Sequence, residues 1–404
     1  MLSRISYYQL KSAIEEKEFP LAMVDLDAVD KNFSFYSDIV KASNKKIRIA
    51  SKSIRMPYLL RYLLDKDKEL FSGIMCYRME EAKYLFGIGF NDLLLAYPEV
   101  SSKALNSFAA LKKSGCKISM VVDSVEHLQL VDDIAREYHT KLDIIIELDG
   151  SLKMFDSKVN LGVRRSSIKN LEDLKERLWF IQRKKNLNLK GVMLYEAQVA
   201  GLADQSPWNV FQNPFKSKIK EVSIPKVEEF RQKSLDLIRE NGFNPEILNG
   251  GGSGSIKTSV QDKSINEVTI GSGFLCSHLF SYYKDLNLTP AIFFAVQIVR
   301  KSDPEYITCL GGGLIASGSI GKDRQPEIFL PKGIEPTDIE GFGEVQTPFK
   351  ITDKKTKLSI GDPIILRHAK TGELAEHFNQ YYMFRNNQII SSEHTYRGLG
   401  YNFL

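Results

Sequence analysis

Arg48-Ile-Ala-Ser-Lys52-Ser-Ile-Arg-Met-Pro57 reads as a short apolar strand, with Ile47 and Ile49 as its buried positions, that ends on a lysine. Met56-Pro57 opens the following helix, where a proline in the first turn is tolerated. A lysine in a strand's interior must be paired or desolvated at a cost. At the C-terminal mouth of a barrel strand it has another use, because catalytic groups collect there. An amine in such a pocket can attack an aldehyde and form a Schiff base. The plainer reading is a lysine whose aliphatic stem covers the strand end.

The surrounding pattern favours the barrel. Apolar strands recur at about 46–52, 72–77, 92–97, 117–122, 142–149, 190–195, 245–249 and 267–271. Helical patterns at 56–66, 79–88, 101–114, 125–138, 168–186 and 226–241 separate nearly all of them. Near-continuous apolar strands alternating with helices imply a parallel sheet covered on both faces. Eight strands over roughly 225 residues match an α/β fold of the (β/α)8 TIM type, with an open doubly wound sheet as the alternative. In a barrel, the long segments 150–166 and 196–225 would lie on the catalytic face. Upstream, Leu21–Leu26 reads as a strand and the region through Val40 as an amphipathic helix.

From about residue 290 the texture changes to short strands broken by Gly, Pro and Asn: Ile292–Lys301, Tyr306–Leu310, Ile328–Leu330, Phe342–Ile351, Pro363–Arg367, Gln380–Arg385 and Gln388–Ser391. They predict a mainly antiparallel β domain, with a tight hairpin at Asn386-Asn387. The expected division is a barrel domain at 18–289 and a β domain at 290–404, with residues 1–17 packing on the latter.

Composition sets the outer bounds. The chain has 404 residues, 43% hydrophobic and 26% charged, with a formal charge of +5. That is a folded protein's composition. No basic stripe interleaves with aromatics, so nucleic acid is not an expected partner. No apolar run approaches the ~18 residues of a membrane span. Cys76, Cys116, Cys276 and Cys309 are widely spaced, which suits reduced thiols and a cytoplasmic setting.

Two glycine loops carry the strongest chemical signal. Asn249-Gly-Gly-Gly-Ser-Gly254 follows the seventh strand, and Gly271-Ser-Gly273 follows the eighth. Backbone N–H groups in such loops can cradle a phosphate, and this pair of loops is a recurrent phosphate site in barrels. Tyr195-Glu-Ala-Gln198 and Glu147-Leu-Asp149 end the sixth and fifth strands. Leu161-Gly-Val-Arg164-Arg165-Ser166 offers arginines able to hold a carboxylate. Arg367-His368-Ala-Lys370-Thr-Gly-Glu373, followed by His377, clusters further titratable groups in the β region.

Together these stretches resemble pyridoxal-phosphate (PLP) enzymes with the alanine racemase type of barrel. They look most like the D-threonine aldolase and D-serine dehydratase branch. The resemblance runs through Val24-Asp-Leu-Asp27, the Lys52 segment, Leu94-Leu-Ala-Tyr97-Pro98, Tyr195–Gln198 and both glycine loops. Leu161–Ser166, Cys309-Leu-Gly-Gly-Gly313, Gly343-Glu-Val-Gln-Thr-Pro348 and His368-Ala-Lys370 are similar to bacterial amino acid deaminase/aldolases. The resemblance implies that Lys52 carries PLP as a Schiff base, with Tyr195 and Asn249 in the cofactor pocket. Gly251, Gly252, Ser253, Gly271, Ser272 and Gly273 would hold its phosphate. It further implies a homodimer and a lyase acting on a small D-β-hydroxy amino acid. Lys52, His368 and Lys370 would handle protons, and Arg164 and Gln198 would contact substrate.

The branch's metal-binding His is followed two residues later by Cys or Asp. Here His368 is followed by Lys370, which as an ammonium cannot ligate; Glu373 or His377 could take its place beside His368, but the expectation is that no divalent metal is bound. Gln198 stands where the aldolases carry a His. The alternatives are an amino acid racemase on the same scaffold, a non-catalytic PLP-binding protein, or a sugar-phosphate barrel with a Schiff-base lysine.

Overall fold

The computed structural model describes every residue except 1, 3, 4, 155–158 and 320. Eight strands close into a parallel barrel in the order in which the chain supplies them: Lys46–Ala50, Phe71–Cys76, Leu93–Leu95, Ile118–Val122, Leu142–Leu148, Leu187–Leu194, Ile247–Gly250 and Glu267–Ile270. The last strand pairs in parallel with the first, Thr269 facing Arg48. Every other residue faces outward under the helices, as Ile47, Ile49, Leu93 and Leu95 do. The alternate set points inward, and Leu94, Val121, Ile145 and Met193 form an apolar plug.

The opposite side of the lumen is charged. Arg48 is fully buried, and its guanidinium forks onto Glu267 with Nε–Oε1 2.7 Å and Nη2–Oε2 2.9 Å. Its Nη1 reaches Asp92 at 2.9 Å. Asn249 extends the network upward through Glu267 (2.9 Å) and Thr269 (2.8 Å). These polar groups are mutually satisfied, as burial requires.

The second sheet has nine strands and differs from expectation in two elements, one being the short strand Ile334–Pro336, which pairs with Gln346–Ile351. Leu21–Asp25, assigned by chain order to the barrel region, lies in the second sheet. It pairs antiparallel with Ile292–Asp303 and parallel with Gln380–Arg385. All five of its residues are buried, so it needs cover on both faces and both edges. The helix Leu26–Ala42, capped by the Asp25 carboxylate, then carries the chain into the barrel. The helix Tyr7–Ile14 packs Leu10 and Ile14 on the same sheet, against Leu21, Met23 and Ile365. Asn386 and Asn387 both adopt positive φ, as a two-residue type I′ hairpin demands.

Two segments on the barrel's mouth also depart from the sequence pattern. Within 150–166, Leu152–Met154 pairs with Val159–Leu161, and residues 155–158 lie outside the described residues. The helix expected at 226–241 instead spans Asn213–Glu240 and runs through Pro225. Pro214 sits in its first turn, and buried Ser223, Val227, Arg231, Ser234 and Ile238 keep one face on the barrel across the proline. No helix among the described residues is long and apolar enough to cross a membrane.

Candidate active site

The barrel's C-terminal mouth and the second sheet enclose a cavity of about 390 Å³. Lys52 stands in it on a short 3-10 turn, Ser51–Ser53, that directly follows the first barrel strand. Its Nζ donates to the Tyr97 hydroxyl at 2.8 Å. Burial alone would raise the pKa of Tyr97, but Lys52 and Arg165 outweigh it and hold the phenol's pKa below its ordinary value. Arg165 lies over both the Tyr97 and Tyr195 rings, 5.5 and 5.6 Å from their centroids.

The turn is clamped from the second sheet. The Thr371 hydroxyl donates to Ser53 O at 2.6 Å, and Arg55 donates through Nε to Lys52 O at 3.0 Å. Arg55 is itself ion-paired with Glu376. Gly372 approaches so closely that a Cβ there would lie 1.9 Å from the Lys52 carbonyl oxygen. Beyond it, Tyr396 N–H donates to Arg55 O at 2.9 Å, and its hydroxyl to Glu81 at 3.0 Å.

The two glycine loops face each other across the cavity floor. Ser253 Oγ accepts from the Gly271 and Gly273 N–H groups at 3.3 and 3.1 Å. Ser272 Oγ donates to Ser53 Oγ at 3.0 Å, tying the eighth-strand loop to the lysine turn. Glu196 braces the seventh-strand loop, accepting from Gly251 N–H (3.1 Å) and Ser259 Oγ (2.8 Å) while paired with buried Arg231 (2.8 Å). Gly251, Gly252, Ser253, Gly271 and Ser272 line the cavity, as do Tyr195 and Asn249. Gly273 does not: a Cβ there would meet the Tyr36 hydroxyl at 2.1 Å, so its glycine makes room for a packed ring.

Other sequence candidates fall in different places. Lys370 lines the cavity, and its Nζ is bound to Glu373 Oε1 at 2.8 Å and Ser317 Oγ at 2.6 Å. His368 is fully buried outside the lining, and its Nδ1 faces the Lys370 backbone N–H at 3.0 Å. Burial pushes its imidazole down to about 4, so it is neutral at neutral pH. Arg164 does not line the cavity; its neighbour Arg165 does. Gln198 is buried and donates to Gly150 O at 2.6 Å, holding the loop rather than lining the cavity. Among the described residues, no three His, Cys, Asp or Glu side chains converge to hold a metal ion.

A family model described as alanine racemase, N-terminal domain, matches residues 24–276. The chain belongs to that family. The family is PLP-dependent. The 3-hydroxy-D-aspartate aldolase of Paracoccus denitrificans (strain Pd 1222) is 24% identical over 257 residues, 64% of this chain and 60% of the aldolase. The chain thus matches about three fifths of that relative's length. In structure, D-threonine aldolase from Filomicrobium marinum superposes with a TM-score of 0.80 at 15% identity, over 96% of this chain and 97% of that one. D-threo-3-hydroxyaspartate dehydratase from Delftia sp. HT23 gives 0.74 at 16% identity, over 95% and 98%. These likenesses extend the shared fold across both the barrel and the second sheet.

Proposed function

We propose that the chain is a PLP-dependent lyase that cleaves the Cα–Cβ bond of a small D-β-hydroxy amino acid or removes water from it. The observation that carries this reading is the placing of Lys52 Nζ, 2.8 Å from Tyr97 Oη, in one cavity with both glycine-serine loops.

The residues present fit the cofactor. Gly251 adopts φ +76°, and a Cβ there would strike Ser259 at 2.7–2.8 Å, so the loop keeps a backbone path only glycine follows easily. The facing loop contributes Gly271 and Ser272, whose N–H and hydroxyl are held by Ser253 and Ser53 and would turn to a phosphate as backbone and hydroxyl donors. Lys52 would hold the aldehyde carbon, and Tyr195 and Asn249 would line the ring's pocket. Bound there, PLP supplies an electron sink for the pair left at Cα.

The chain's own groups do the rest. Tyr97 Oη exchanges a proton with Lys52 Nζ, and its lowered pKa makes the phenolate accessible. Arg165, between two aromatic rings and lining the cavity, meets the substrate's α-carboxylate in the role the sequence suggested for Arg164. Lys370 lines the same cavity with its ammonium paired to Glu373 and bonded to Ser317, so this pair meets the β-hydroxyl as a hydrogen-bonding wall rather than as a free charge. His368, neutral and buried, holds the Lys370 backbone and does not move protons.

The same reading includes a homodimer in the cytoplasm. Val210, Phe211 and Phe215 near the barrel mouth, and Ile315, Ile339 and Val345 on the second sheet's loops, are exposed apolar groups suited to contact between copies. All four cysteines are buried free thiols, which suits a reducing compartment.

The test is a visible absorption spectrum of the protein incubated with PLP, alongside Lys52→Ala. A band lost in the variant and shifted by D-threonine or D-serine supports the lyase. A band shifted by L-alanine alone would favour the racemase. No band with excess PLP would overturn the reading.

A further inference from the structure

Four cationic side chains line the cavity among the described residues: Lys52, Arg55, Arg165 and Lys370. Three are already committed. Lys52 belongs to the cofactor under the reading above, and Arg55 is held by Glu376 and by Lys52 O. Lys370 is neutralised by Glu373 at 2.8 Å. Arg165 lies over two aromatic rings, and the acidic group it feels, Glu147, is pushed by burial up to about 7, so no ion pair holds its guanidinium among the described residues.

The Lys370–Glu373 pair is part-exposed and held by Ser317. Ser317 donates to Glu373 through its backbone N–H (2.8 Å) and its hydroxyl (2.6 Å), and the same hydroxyl accepts from Lys370 Nζ at 2.6 Å. Glu373 itself lines the cavity and follows Gly372, which touches the Lys52 carbonyl. A bound amino acid brings one carboxylate, which Arg165 can meet. A second carboxylate on the side chain would enter beside Glu373 with no unpaired cation to receive it. Like charges at short range in a part-enclosed site are strongly disfavoured.

We infer that the Lys370–Ser317–Glu373 cluster selects β-hydroxy amino acids whose side chain is otherwise uncharged, with Glu373 as the specificity-determining residue that rejects a second carboxylate. The inference rests on the lyase reading and narrows its substrate class. It separates this chain from its aldolase relative, whose name specifies a hydroxyaspartate.

The experiment compares D-threonine with D-threo-3-hydroxyaspartate on the PLP-loaded protein and on Glu373→Gln. The native protein should favour D-threonine at least tenfold in kcat/KM, on the order of one misplaced charge. Glu373→Gln frees Lys370 and should raise kcat/KM for the hydroxyaspartate about tenfold, mainly through KM, with no like gain for D-threonine. Lys370→Met should move the preference the other way. Calorimetric binding of malate against lactate to the PLP-free protein gives a readout independent of turnover: Glu373→Gln should strengthen malate selectively. A native preference for the hydroxyaspartate, or equal changes for both substrates, overturns the inference while leaving the lyase intact. Failure of both amino acids to shift the cofactor band or turn over overturns the lyase reading itself, and this inference with it.

Discussion

Lys52 Nζ and Tyr97 Oη are 2.8 Å apart at the mouth of the barrel, one at the end of the first strand and the other beyond the third. Removing the phenol tests whether it moves protons or merely packs. Activity that needs the phenolate rises with pH as Tyr97 ionises, and Lys52 and Arg165 place that rise below the usual tyrosine range. Tyr97→Phe should lower kcat/KM by about 10²-fold, the lower end for a general acid–base group, and abolish that rise in the pH–rate profile. An unchanged profile would leave Tyr97 a packing residue.

Gly372→Ala tests the grip of the second sheet on the catalytic lysine. The new Cβ would meet a backbone oxygen, Lys52 O, at 1.9 Å, and neither backbone can yield cheaply. The expected result is a loss of about 10²-fold in kcat/KM, as for a misplacement of roughly 1 Å, with the barrel still folded by circular dichroism. Gly87→Ala is the control, since a Cβ there meets nothing within 4 Å. Equal activity in both variants would show that the contact does not position Lys52.

Much of this arrangement was legible in the sequence because it follows from local periodicity. The eight barrel strands are apolar runs with helices between them, and the two glycine loops stand out at their ends. What was not legible depends on contacts distant in sequence. Leu21–Asp25 is plainly a strand, but nothing local says that its neighbours are Ile292–Asp303 and Gln380–Arg385. Arg164 and Arg165 are adjacent in an exposed loop, and residue type does not say which one turns inward. Gly372 looks like an ordinary turn residue until the Lys52 carbonyl is found against it. His368 carries a family signal, yet its burial and its bond to its own segment remove it from the cavity.

The barrel floor gives a stability prediction. Arg48→Met would strand the Glu267 carboxylate in the lumen, where chiefly Arg48 holds its pKa below the ordinary value against burial. Breaking a buried pair from one side should destabilise by about 3–5 kcal/mol in denaturant unfolding. The double variant Arg48→Met, Glu267→Leu should recover much of that, because the one charge it leaves without a partner, Asp92, is half-exposed to water. A single variant costing under about 1 kcal/mol would place the pair in the range of surface ion pairs instead.

Two carboxyls near the lysine turn should shape stability in opposite directions and in separate pH windows. Glu81 is buried between the Tyr77 N–H (2.9 Å) and the Tyr396 hydroxyl (3.0 Å), yet burial outweighs both donors and raises it from 4.5 to about 7. The unfolded chain releases that proton first, so its contribution is intact below 4.5 and is lost as pH rises toward 7. Glu147, also raised to about 7 by burial, carries the same sign. For Glu373 burial is outweighed by Lys370 and Ser317, which lower it from 4.5 to about 2. Its contribution is present above 4.5 and is lost as pH falls through that lower window. Unfolding free energy against pH should therefore decline on the neutral side by up to about 1.4 kcal/mol per pH unit for each proton released, and melting temperature with it. Glu81→Gln should flatten part of that decline and leave the acid arm alone, whereas Glu373→Gln should flatten only the acid arm. If Glu81→Gln keeps the full neutral-side decline, the Glu81 carboxyl is ionised in the folded protein and Tyr396 and Tyr77 have overcome its burial.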